Sequence, residues 1–186
     1  RMTVAPEREE RSDAEASVDR STDLATVWSP GPGVWGWLTN VNHKAMGTRF
    51  MVTAFVFFLV GGVLALGMRT QLAVPDAEVL GPDTYNQAFT LHGTLMLFLF
   101  AVPTLEGFAM YVTPLMLGTR DMPFPRLNLF GYYAFLFGGL FVFAGVAAGE
   151  VPDDGWFAYL PLTNPEFEPG NGLDYWLLGI TFVEIA

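Results

Sequence analysis

"FTLHGTLMLFLFAVP", residues 89–103, is nearly pure hydrocarbon with a single imidazole, His92, set into it. A run of this kind reads as part of a membrane-spanning helix, and such a helix normally excludes ionisable side chains because each one raises the cost of insertion. Either His92 hydrogen-bonds a neighbouring helix, or it has a functional ligand or proton. Gly93 follows it directly and leaves room for another helix, or a flat macrocycle, to approach the backbone.

Working outward, the chain divides by composition. Residues 1–27 carry eleven charges and no aromatic side chain. They predict a disordered polar tail, too hydrophilic to build a core. Residues 28–49 contain Trp28, Trp35 and Trp37 and predict an interfacial segment. Residues 50–186 are dominated by Leu, Phe, Val, Ala and Gly and predict an all-α membrane bundle. Residues 50–68 hold nineteen positions without a charge, about 28 Å of helix at ~1.5 Å per residue. Further spans are expected at about 88–118 and 128–149, with the start of a fourth at 175–186. Twelve residues are too few to cross, so the sequence predicts a fragment of a larger protein. There is no cysteine, which excludes disulfides and thiolate sites. The net charge of −10 argues against a nucleic-acid partner.

Lys and Arg orient the spans. Lys44, Arg49 and four tail arginines precede the first, and Arg120 and Arg126 follow the second, whereas residues 70–85 and 150–171 contain neither residue type. The amino terminus is therefore expected in the cytoplasm. On that orientation His92 lies about one turn below the outer interface and Arg69 shares its depth. His43, on the inner side, is expected ~25 Å or more away by helix rise, too far to share a metal ion with His92. With the Pro103 kink ignored, Tyr85, His92, Glu106 and Met110 fall near one helical stripe. Glu106 reads either as a satisfied structural carboxyl or as a proton site.

The segments "VNHKAMGTRF" (41–50), "YNQAFTLHGTLMLF" (85–98) and "PLMLGTRDMPFPRLN" (114–128) together resemble subunit I of the haem–copper oxidases, of the cytochrome c oxidase type. The resemblance runs from about Trp37 to Asp174. It implies the first three helices and the start of the fourth in a subunit of about twelve. It also implies that His92 is an axial ligand of the low-spin haem iron, with haem a expected, the second ligand lying in a later helix. Arg69 would bond the haem edge or formyl group, its alternative being to snorkel to the interface. Asp121 would stand at the mouth of a proton channel with Asn128 beyond it; otherwise it is a loop charge paired with Arg120 or Arg126. Met110 departs from the family pattern, which often has an asparagine there, and a thioether cannot order water as an amide does. Gln71 and Asp76 occupy positions of an outer cation site in some relatives.

The implied activity is oxidation of cytochrome c coupled to reduction of oxygen to water and to proton translocation. The implied setting is the plasma membrane of a prokaryote, beside the remainder of subunit I and oxidase subunits II and III. The high-spin haem and copper would be held by residues absent from this chain, so the fragment alone is expected to be inactive. Competing readings are a quinol oxidase, a nitric oxide reductase relative, a non-catalytic b-type membrane cytochrome and a proton-coupled transporter using His92, Glu106 and Asp121.

Overall fold

The computed structural model describes Ser29 and residues 31–186. The expected disordered tail (1–27) and Trp28 lie outside the described residues. The chain forms two units, Arg1–Asn40 and Val41–Ala186. In the first, a short helix α1 (Gly33–Thr39) carries Trp35 and Trp37 exposed, and the Thr39 hydroxyl donates to the Trp35 carbonyl at 2.8 Å.

The second unit is all-helical, with no strand among the described residues. Helix α2 (His43–Gln71) begins at Asn42, whose backbone is extended and whose side-chain oxygen accepts the Lys44 N–H at 3.0 Å, a standard N-cap. Helix α3 spans Pro82–Leu117 and starts with proline at its first turn. Helix α4 spans Pro125–Ala148 and α5 spans Gly172–Ile185. Helices α2, α3 and α4 are each long and apolar enough to cross a membrane. Each begins before the apolar run that signals it, because polar turns continue the helix past the hydrocarbon at its amino-terminal end. Gly118 (φ 65°) ends α3 and Gly149 (φ 78°) ends α4 in the left-handed conformation that glycine adopts without penalty.

The middle of α3 is not α-helical. Leu95–Ala101 forms a π-helix, and the Val102 N–H reaches back five residues to the Leu97 carbonyl. Pro103 supplies a cause. It has no N–H, and in a regular helix its ring would press on the carbonyl of Leu99; a wider turn relieves that clash. A π turn takes up more residues than an α turn. The part of α3 below it is therefore rotated against simple α periodicity, so the single stripe of Tyr85, His92, Glu106 and Met110 does not hold.

Helix α2 packs along both halves of α3 and touches α4, while α4 packs on α5. Two glycine pairs allow the close approaches. A Cβ on Gly47 would lie 2.5 Å from the Gly107 carbonyl oxygen, and one on Gly138 would lie 2.6 Å from that of Gly179. Membrane helices pack through such small-residue contacts because lipid removes the hydrophobic drive between them. Phe50, Phe57, Leu95, Leu99, Tyr132 and Phe135 fill the core, with Phe50 stacked on Phe135 at 5.4 Å. Phe55, Leu59, Val63 and Leu66 stay exposed along one side of α2. In water that stripe would be a liability; in a bilayer it is the required surface.

Candidate functional site

His92 sits in the α-helical first half of α3, three residues above the π segment. Its Nδ1 lies 2.9 Å from the backbone carbonyl oxygen of Gly61 on α2. A carbonyl only accepts, so Nδ1 carries a proton, and in the neutral ring Nε2 then holds the lone pair that a ligand would use. That is the arrangement by which a metal-ligating histidine is held: one nitrogen fixed to a backbone carbonyl, the other free to coordinate. The donor set of one oriented, neutral imidazole fits one axial position of a haem iron.

The small residue beside it serves a loop rather than a helix. A Cβ on Gly93 would meet the Trp156 ring at 2.7 Å, and Trp156 stands edge-on to Phe98 with centroids 6.0 Å apart. Two buried threonines complete this part of α3. Thr90 accepts the Gly155 N–H at 2.9 Å. Thr94 accepts the Trp176 indole N–H from α5 at 2.8 Å. None of these four partners was singled out from the sequence: the contact pairs are separated by 65 and 82 positions. The only sequence signal available was the i, i+4 threonine pair.

Arg69 is exposed in the last turn of α2. Gln71 is already engaged. Its Oε1 accepts the N–H groups of Val79 and Leu80 at 2.9 and 2.8 Å, and its Nε2 donates to the Ala77 carbonyl. Both lone pairs of Oε1 are thus used in closing the loop, which leaves it no capacity for a cation in this conformation. The cavity beside it, about 680 Å³, is lined by Gln71, Glu78, Tyr85 and Asn86 among others.

At the opposite end of α2 lies a second polar group. Asp121 Oδ1 accepts the backbone N–H groups of His43 at 3.0 Å and Met122 at 2.8 Å. The same oxygen is 3.2 Å from His43 Nδ1. That is an ion-pair distance, but the angle is not that of a hydrogen bond, and neither ring nitrogen of this buried histidine makes one. Asp121 is thus held against His43, a partner the sequence reading passed over in favour of Arg120 or Arg126. Asn128 donates to the Pro123 carbonyl at 3.0 Å and so steadies the loop that carries Asp121. Met110 packs on the apolar core. Glu106, half-buried next to Gly107, has no hydrogen bond or ion pair among the described residues. His43 and Gly61 are eighteen residues apart on α2, about 27 Å of helix, so the two histidines cannot share an ion.

Outside the spans, Asp153, Asp154 and Glu168 bring carboxylate oxygens within 4.8 Å of one another. Burial, then the charges of Asp154 and Asp153, push the Glu168 carboxyl up to about 7. Burial also raises that of Asp154.

Taken together, the spans and the oriented imidazole define a helical membrane protein with a ligand-ready histidine inside its bundle. The sequence model of the family described as "Cytochrome C and Quinol oxidase polypeptide I" matches residues 45–186. The chain is 42% identical over 182 residues to "Probable cytochrome c oxidase subunit 1-alpha" of Streptomyces coelicolor, covering 97% of this chain and 31% of that protein. It is 43% identical over 157 residues to "Cytochrome c oxidase subunit 1" of Alkalihalophilus pseudofirmus, covering 84% of this chain and 25% of the relative. It is also 42% identical over 151 residues to "Cytochrome c oxidase subunit 1" of Corynebacterium diphtheriae, covering 81% and 27%. The chain belongs to the cytochrome c and quinol oxidase subunit I family, and it spans between a quarter and a third of the length of these curated relatives.

Proposed function

We propose that this chain is the amino-terminal part of the catalytic subunit of a prokaryotic respiratory terminal oxidase, one that oxidises cytochrome c, reduces oxygen to water and translocates protons. The observation that carries the reading is the His92 Nδ1–Gly61 carbonyl bond, which presents a neutral Nε2 inside a membrane bundle. His92 is read as one axial ligand of a low-spin haem, expected to be haem a, with the second ligand from a later helix. When bound, that haem supplies one-electron transfer. The chain's own residues supply orientation and proton access. Gly61 fixes the imidazole plane and raises its basicity. Arg69, a fixed cation at the same end of α2, would withdraw charge from the haem edge or formyl group.

At the other end, which the Lys and Arg distribution assigns to the cytoplasm, Asp121 would gather protons at the mouth of a channel that continues past Asn128. The exposed Trp35 and Trp37 of α1 suit an interfacial segment. The high-spin haem and copper fall to the remainder of the subunit. The only other histidine here is His43, buried against Asp121, so the fragment by itself would not reduce oxygen. Subunits II and III, cytochrome c and lipid are the expected partners. The family's description also covers quinol oxidases, and one experiment separates the donors. Membranes containing the intact protein should consume oxygen with reduced cytochrome c, in a cyanide-sensitive manner. Uptake with a quinol alone would assign the protein to the quinol-oxidising branch.

A further inference from the structure

The face of α3 turned away from Gly61 is also tied down, by hydrogen bonds to the 150–171 loop and to α5. Two residues of helix rotate the side-chain direction by about 200°, so Thr90 and Thr94 point away from His92. Both are fully enclosed, at 1% and 0% exposure. Each hydroxyl is used twice. Thr90 donates to the Asn86 carbonyl at 2.9 Å and accepts from Gly155 of the 150–171 loop. Thr94 donates to the Thr90 carbonyl at 2.8 Å and accepts from the Trp176 indole of α5. The grip ends where the α-helix ends, because Leu95 opens the π segment. Below that point α3 meets α2 closely at Gly107. The wide π turn separates the two registers. The outer segment is thus tied to the 150–171 loop and α5 on the threonine face and to α2 on the His92 face.

We propose that Thr94, through Trp176, is a positioning residue for His92: it sets the rotation of the upper part of α3 and with it the angle at which the imidazole plane meets its ligand. This rests on the reading of His92 as a haem ligand. The indole N–H is buried, so removing its acceptor leaves it unpaired and favours a rotated helix that finds another partner. The Gly61 carbonyl would then hold His92 at a different angle, without any loss of the ligand itself.

The test uses the intact membrane-embedded protein and the electron paramagnetic resonance of its ferric low-spin haem, whose g-values report the orientation of the axial imidazole planes. Thr94→Val removes the acceptor at nearly constant volume, and Trp176→Phe removes the donor. Both should shift the largest g-value in the same direction and displace the midpoint potential, with haem content unchanged, and Thr94→Ser should restore both. Unchanged g-values in haem-replete Thr94→Val and Trp176→Phe would overturn the proposal. So would failure of both variants to accumulate while Thr94→Ser accumulates normally, because that pattern marks a purely structural bond. Survival of the low-spin signal in His92→Ala would instead overturn the ligand reading beneath it.

Discussion

The two histidines of this chain, His43 at the start of α2 and His92 on α3 against Gly61 of α2, are handled in opposite ways. His92 has one nitrogen tied to a backbone carbonyl and the other unspent. His43 is buried to 2% exposure, lies 3.2 Å from an aspartate oxygen and makes no hydrogen bond through either nitrogen. The difference shows that burial alone does not orient an imidazole. A metal-binding imidazole must have its tautomer fixed and its second nitrogen directed at open space. One part of α2 orients an imidazole through a backbone carbonyl, and its start holds another against a carboxylate.

Substitutions that separate the ends sharpen the contrast. The largest effect on turnover is expected at the proton end. Asp121→Asn keeps the shape and removes the charge, so oxygen consumption should fall by roughly 10²-fold, while the reduced-minus-oxidised haem spectrum stays as in the wild type. Normal turnover and pumping in vesicles containing a pH dye would dissolve the distinction and direct attention to Glu106. His43→Ala empties a buried ring while keeping the backbone N–H that Asp121 accepts. It should cost about 2 kcal/mol of stability, read as a lower thermal midpoint, with the haem retained. Loss of the low-spin haem in this variant would break the comparison.

Arg69→Met should leave the haem in place but displace its α band and midpoint potential. A hydrogen bond from a charged donor is worth roughly 1.5–3 kcal/mol. An unmoved band would mean that Arg69 only reaches for the interface. The smallest effect belongs to the 150–171 loop. Glu168 keeps its proton to about pH 7 when folded, against an ordinary value of 4.5. Between those values the folded loop holds a proton that the opened loop has lost. The stability this confers is complete below 4.5 and is lost as pH rises through 7. Glu168→Gln should therefore slow hydrogen exchange in residues 150–171 at pH 8 and change little at pH 5. Equal protection of the two proteins at pH 8 would refute the assignment.

Much of this architecture was legible in the residues. Charge-free runs of about twenty positions mark the spans, because the bilayer admits little else, and a histidine within such a run announces itself by its cost. The partners were not legible. Gly61 contributes a carbonyl, which every residue has, so no side chain marks it. Asp121 finds His43 across 78 positions, and its two neighbouring arginines were the more obvious choice. The π turn beside Pro103 also escaped, because proline signals a break in the ladder without saying whether the helix bends or widens. That omission is why a stripe joining His92 to Glu106 looked continuous.

The central claim is that His92 is the residue through which this part of the protein holds a haem. The most direct measurement is the reduced-minus-oxidised α band of the intact protein carrying His92→Ala, with His43→Ala as the matched control. The low-spin band should disappear in His92→Ala and persist in His43→Ala. A band of wild-type position and amplitude in His92→Ala would contradict it.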